Sequence, residues 1–375
     1  MNPACPKISL IIPNFNRGDL LTETLDSVLQ QDYTGWEALV IDDGSTDNSS
    51  DVGQSYAKSD PRIRFFSRDR EPRGAPVCRN IGAERSSGEY LIFLDSDDLL
   101  MPGALTQRIR TIGEFPEYDF WVFPMLMFRN DPSGAKFLWN IDNGVPDLHR
   151  FLVLDAPWQT SGPVWRRDAV VRIGGFTEGL ACWQDVDFHL KALIGGLKGR
   201  KFYQLPPDTL YRQHEVQSIS QGEISSPAKL KSRFEIFRSH AGALMNRFNG
   251  PPVNATDAFS HNQSISDRRG IDAAVTVQSA APGFNIHEDL RLLGGNIALG
   301  AARALNREVF GQVIRFGAGH RIFPPAMVSR LKAIMYLYLF RLNRIRFIHE
   351  RIQSFTKLYR QDSNIGKHPL KPPQA

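Results

Sequence analysis

Four short apolar runs, KISLIIP (7–13), WEALVI (36–41), IRFFSR (63–68) and YLIFL (90–94), punctuate the first hundred residues, with helix-like stretches between the outer pairs. Their length, their β-branched and aromatic content and their polar or proline boundaries read as buried strands. DLLTETLDSVLQQ (19–31) carries Leu20, Leu21, Leu25, Val28 and Leu29 at helical spacing behind Asp19 as N-cap, and VCRNIGAERS (77–86) reads as a second helix. Strand alternating with helix predicts an α/β fold with a doubly wound, mostly parallel sheet flanked by helices. Such sheets bind ligands beyond the carboxyl ends of their strands. PNFNR (13–17), DDGSTD (42–47) and DSDD (95–98) all fall at strand ends, so they are expected side by side on one rim.

DSDD poses an electrostatic problem. Three carboxylates in four positions, Asp95, Asp97 and Asp98, repel one another and raise each other's pKa unless a cation or donor groups sit among them. A carboxylate cluster at a wet strand end suits a hard divalent cation shared with a substrate phosphate. A solvated acidic turn, with Asp98 capping the next helix, fits the spacing equally well.

The chain has 375 residues, too many for one simple core, and its 42% hydrophobic and 23% charged composition is that of a globular protein. Cys5, Cys78 and Cys182 are odd in number and form no CxxC pair, which fits a reducing compartment. The apolar stretch at the start is broken by Pro13, so no export signal is expected, and AIMYLYLF (333–340) is too short to span a bilayer. A cytoplasmic setting follows. Neither GxGxxG nor GxxxxGK[ST] occurs, which argues against a dinucleotide oxidoreductase or a P-loop enzyme.

Beyond residue 105 the pattern loosens. FWVFPMLMF (120–128) is a strand pair or a buried run, RRDAVVRIGGF (166–176) a short helix stopped by Gly174 and Gly175, and WQDVDFHLKALIGG (183–196) a helix with carboxylates in its first turn. Residues 226–285 are expected to be a linker or loop-rich region, and 286–375 a basic helical one. Within it, 331–359 reads as a single amphipathic helix.

The ordered series IIPNFNR, IDDGSTD, GAPVCRNIGAERSSGEYLIFLDSDD, GGF, WQDVDFHL and YRQHEVQSIS resembles the inverting family 2 glycosyltransferases, which have the GT-A fold. The resemblance is dense over about 7–105 and recurs over about 160–220. It implies one catalytic domain over 1–225, with nucleotide binding in about 1–105 and acceptor binding in about 106–225. It also implies a donor site of Pro13, Phe15, Asn16, Asp42, Asp43, Arg79, Asp95, Asp97 and Arg212. Phe15 would stack on the nucleobase. Asp42 and Asp43 would accept the imide N–H of uracil or thymine, which selects UDP- or dTDP-sugars over cytidine nucleotides. Arg79 would line the nucleotide pocket or pair with a rim aspartate.

By the same resemblance, Asp95 or Asp97 faces the ribose, and Asp97 and Asp98, completed by His214, hold Mg2+ or Mn2+ against the diphosphate. Arg212 would reach the diphosphate. Asp185 matches the position of the base that deprotonates the acceptor hydroxyl, while Asp187 would point away. Gln184 stands where the family commonly has Glu. The GGF turn (174–176) is expected to serve shape. The implied partners are a nucleotide-sugar donor and a saccharide or lipid-linked acceptor, and the implied setting is bacterial polysaccharide or glycoconjugate synthesis. The rival reading is a catalytically silent nucleotide-sugar-binding or scaffold protein of the same fold.

Charge is concentrated in the tail: residues 301–375 hold 14 Lys and Arg against three Asp and Glu, within an overall +5. Two readings of 331–360 stay open, contact with an anionic membrane surface or packing on the protein with the basic side solvated. No nucleic-acid-binding motif accompanies the charge, so a nucleic-acid partner is not expected.

Overall fold

The computed structural model describes residues 8–214, 226–249, 274–275, 285–340, 343, 346–357 and 368–369. The first hundred residues alternate as expected: β1 (Ile8–Asn14), α1 (Gly18–Leu29), β2 (Trp36–Asp42), α2 (Ser49–Ser59), β3 (Ile63–Ser67), α3 (Ala75–Arg85) and β4 (Tyr90–Phe93). These strands lie in the order β3-β2-β1-β4 and pair in parallel. Both β1 and β2 are buried along their whole length. On β1, Ile8, Leu10 and Ile12 face one apolar cluster with Leu21 and Leu25 of α1, whereas Ile11 faces another. Helices cover both faces of the sheet, so its strands are continuously apolar rather than alternating.

Next come β5 (Leu99–Leu100), α4 (Ala104–Glu114), β6 (Phe120–Val122), β7 (Met125–Phe128), β8 (Phe137–Leu138), α5 (Asp147–Leu152), β9 (Pro163–Arg166), α6 (Arg167–Arg172), α7 (Gln184–Ile194), β10 (Gly199–Lys201) and β11 (Thr209–Arg212). β9 enters the sheet antiparallel, between β4 and β6. FWVFPMLMF is indeed two strands, but Pro124 divides them between sheets: β6 extends the large sheet, and β7 joins a smaller one with β5, β8 and β11.

The chain continues as α8 (Pro227–Asn249), a 23-residue helix that begins where a linker was expected. Of the rest of that expected linker, the described residues include β12 (Ala274–Val275), paired with β10, and Asn285, which caps the following helix. Beyond it lie α9 (Ile286–Arg303), α10 (Arg307–Gly319), α11 (Pro325–Leu339), α12 (Arg346–Lys357) and β13 (His368–Pro369). The basic segment is thus two helices instead of one over 331–359. On α12 Ile352 is buried and Phe355 packs on the same apolar cluster as α8 and α9, while Arg351 and Lys357 face solvent. Ile352 and Phe355 are therefore spent on the protein. Among the described residues no helix is long and apolar enough to cross a membrane.

Candidate active site

Strand ends of the parallel sheet build the rim. Past β1, Phe15 is 48% exposed, the geometry of a surface platform, whereas Pro13 is buried. Asn16, at φ 50°, accepts the Thr46 N–H at 2.7 Å and donates its own N–H to Ser45 at 2.8 Å. The β1 and β2 turns are thereby stitched together.

Asp42 holds that stitch. Its oxygens accept from Asn14 Nδ2 (3.0 Å), Ser45 Oγ (2.5 Å) and the N–H groups of Gly44 (3.1 Å) and Ser45 (2.8 Å). Four bonds saturate a carboxylate, so Asp42 shapes the turn and has no lone pair left for a nucleobase. Asp43 is placed differently: it takes one bond, from Arg68 Nε at 2.7 Å. Sequence reasoning missed Arg68, whose only signal was its place one residue beyond β3.

The DSDD carboxylates take three distinct environments. Asp95 accepts from Arg79 Nη2 at 2.5 Å and from Gln159 Nε2 at 3.0 Å, which bears out the pairing of Arg79 with a rim aspartate. Asp97 meets Arg17 and lies 2.6 Å from His214 Nε2, and Arg17 Nη1 is 3.1 Å from the same imidazole nitrogen. Burial, then Arg17 and Arg212, holds the His214 pKa down, which favours the neutral ring.

Asp98 departs from the expectation of a metal ligand. It is 1% exposed and accepts from Ser161 Oγ at 2.7 Å and the Arg212 N–H at 3.0 Å. Burial, reinforced by Asp95, pushes its carboxyl up. Its oxygens are committed inward, tying β4 to β11. Arg212 also departs: its guanidinium binds the Asp97 carbonyl at 3.0 Å and Glu23 at 2.6 Å and lies 4.5 Å from the Phe128 ring, so it braces the rim instead of reaching across it. Of the YRQHEVQSIS stretch, 215–220 lies outside the described residues.

The acceptor side arrives on α7. Asp185 sits in its first turn, partly exposed, yet burial pushes its carboxyl up; Arg79 opposes that and Asp95 adds to it. Gln184 donates to the Leu180 carbonyl at 3.0 Å, a bond that Glu could not make when ionised. Asp187 points the other way, buried, accepting from Thr177 at 2.6 Å and lying 2.8 Å from His240 Nε2. The GGF turn is held by Asn80 of α3, which donates to the Phe176 carbonyl at 3.0 Å and accepts the Phe176 N–H at 2.9 Å. Gln159 and Ser161, also missed, precede β9, and only the antiparallel insertion of β9 beside β4 brings them to the aspartates.

A sheet in the order β3-β2-β1-β4 with this acidic rim and an incoming carboxylate helix defines the class, a GT-A nucleotide-sugar transferase fold. Residues 9–138 match the family model described as glycosyl transferase family 2. A GalNAc(5)-diNAcBac-PP-undecaprenol beta-1,3-glucosyltransferase of Campylobacter jejuni is 38% identical over 109 residues, 29% of this chain and 35% of that protein. An uncharacterized glycosyltransferase of Escherichia coli, YibD, is 40% identical over 207 residues, 52% of this chain and 58% of that one. Among solved structures, Staphylococcus aureus TarS 1–349 in complex with UDP-GlcNAc superposes with a TM-score of 0.58 at 18% identity, covering 94% of this chain and 92% of that chain, which is a likeness of fold. The matched segments span from 19% to 62% of the length of the curated relatives.

Proposed function

We propose that the protein moves a sugar from a UDP- or dTDP-sugar to a hydroxyl of a saccharide or lipid-linked acceptor in bacterial glycan synthesis, in one displacement with inversion. One observation carries this reading: Asp185 stands in the first turn of α7, and the Arg79 that binds the rim aspartate Asp95 at 2.5 Å also acts on the Asp185 carboxylate. Phe15 offers the base a stacking face, and Asp43 offers the imide an acceptor steadied by Arg68.

The residues present fit a divalent cation. Among the described residues no three His, Cys, Asp or Glu side chains converge, but a cation bound largely through diphosphate oxygens and water needs only one or two protein ligands. Asp97 and the neutral His214 would hold Mg2+ or Mn2+, which, when bound, neutralises charge developing on the diphosphate leaving group. Asp185 takes the proton of the acceptor hydroxyl as it attacks the anomeric carbon from the side opposite the diphosphate. Arg79 keeps Asp95 in place at the rim and biases Asp185 toward its ionised form.

A thermal-shift screen of nucleoside diphosphates with Mn2+ tests the donor reading, with UDP or dTDP expected to raise Tm and CDP not. No shift with any of them would refute it. Asp185→Asn is expected to bind UDP as the wild type does and to lose about a thousandfold in transfer rate. Wild-type turnover by that variant would remove Asp185 from the role of base.

A further inference from the structure

The loop that delivers Asp185 is held from behind by one face of α8, a helix outside the family-matched segment. Ser232 Oγ accepts the Ala181 N–H at 2.9 Å, the Lys229 carbonyl accepts from Cys182 Sγ at 3.5 Å, the Arg233 guanidinium lies 4.7 Å from the Trp183 ring, and His240 Nε2 is 2.8 Å from Asp187 Oδ1. Positions 229, 232, 233, 236 and 240 recur on one helical face, and Ser232, Arg233, Ile236 and His240 are all buried. The adjoining side of α8 is anchored, with Phe237 and Phe234 against Phe316 of α10. Trp183 adopts φ 55°, the left-handed region that non-glycine residues avoid and that persists only where surroundings enforce it. The α8 contacts fall on Ala181, Cys182 and Trp183, immediately before Gln184 and Asp185.

We propose that Ser232, Arg233 and His240 are positioning residues for the transfer reaction, and that through them the C-terminal helices set where the Asp185 carboxylate stands without contributing to donor binding. The proposal rests on the reading of Asp185 as base. Arg233 and Ser232 enforce the turn on one side of Asp185, and His240, through Asp187, fixes the first turn of α7 on the other. Among the described residues, the bonds and ring contacts of Ser232, Arg233 and His240 reach neither the β1 and β2 strand ends nor the DSDD turn.

The test uses the full chain with His240→Ala, His240→Gln and Arg233→Met. Three quantities are read: amide hydrogen exchange, UDP affinity in Mn2+, and kcat for hydrolysis of whichever member of a UDP-hexose panel the wild type cleaves fastest. His240→Ala and Arg233→Met are expected to raise exchange over 180–188 about tenfold with 42–49 and 94–100 unchanged. They should lower kcat about tenfold while UDP affinity stays within about twofold. His240→Gln, which keeps an N–H for Asp187, should recover most of the kcat. Raised exchange over 180–188 with wild-type kcat would overturn the proposal, as would a UDP affinity that falls in step with kcat. Asp185→Asn in the same assay keeps the two readings apart: wild-type kcat there removes the base, whatever the α8 variants do.

Discussion

The carboxylates of this site differ in what surrounds them, and their expected behaviour differs accordingly. Burial pushes Asp185 above the ordinary carboxylate range while Arg79 pulls it back. A base works only when deprotonated, so the rate of transfer should fall as pH drops through that raised pKa. Arg79→Gln removes the opposing charge and should shift this acid limb to higher pH in a pH–rate profile. Asp42 and Asp43 are neighbours with opposite prospects. Asp42→Ala strips four bonds from the β1 and β2 turns and is expected to cost about 2–4 kcal/mol in urea unfolding, by the usual worth of bonds to charged groups. Asp43→Ala should leave stability nearly intact and weaken UDP binding in calorimetry. DDGSTD looks alike at both positions in sequence; which one is consumed by its own turn depends on where Asn14 and Ser45 come to lie.

At the scale of elements, α3 lies close on β1. A Cβ on Gly82 would fall 2.3 Å from Ile11 Cγ2, so Gly82→Ala is expected to cost about 1–3 kcal/mol through overpacking, read as a drop in Tm. The parallel strands and their helices were legible because continuous apolar runs and 3.6-residue periodicity are local signals. α8 was not, since Ser232, Arg233 and His240 interrupt the apolar pattern on its buried side and its burial comes from α7, α9 and α10, elsewhere in the chain. The break between α11 and α12 was likewise hidden, because the amphipathic pattern runs through 340–345 without a proline or glycine.

Across the whole molecule, one face of the sheet meets α5 and α7 in an aromatic cluster that closes around His189. The ring stacks 5.9 Å from Trp165, packs against Phe151 and Trp158, and among the described residues has no hydrogen-bond partner at either nitrogen. Burial, helped by Arg79, pushes its pKa down to about 3. Above the ordinary histidine value of about 6.5 the ring is neutral whether folded or not, and it has no effect on pH dependence. Below it the unfolded chain takes up a proton that the folded one refuses, so stability falls by up to about 1.4 kcal/mol per pH unit toward the folded pKa. His189→Phe should flatten that loss in thermal unfolding between pH 6 and 4, roughly the window where this term acts.

The same separation runs through the protein. Sequence alone determined the alternating sheet, the rim of PNFNR, DDGSTD and DSDD, and the carboxylate at the start of α7, because strand ends and helix starts are marked by residues adjacent in the chain. Tertiary structure decided which carboxylates stay available. Asp42 and Asp98 are spent on backbone and serine donors, and Arg212 on Glu23, while Arg17, Arg68 and Gln159 come in from elsewhere. A buried charge takes whatever donors the fold brings within 3 Å or so, and apart from Gly44 and Ser45 at Asp42 those donors lie tens of residues away, where no local pattern records them.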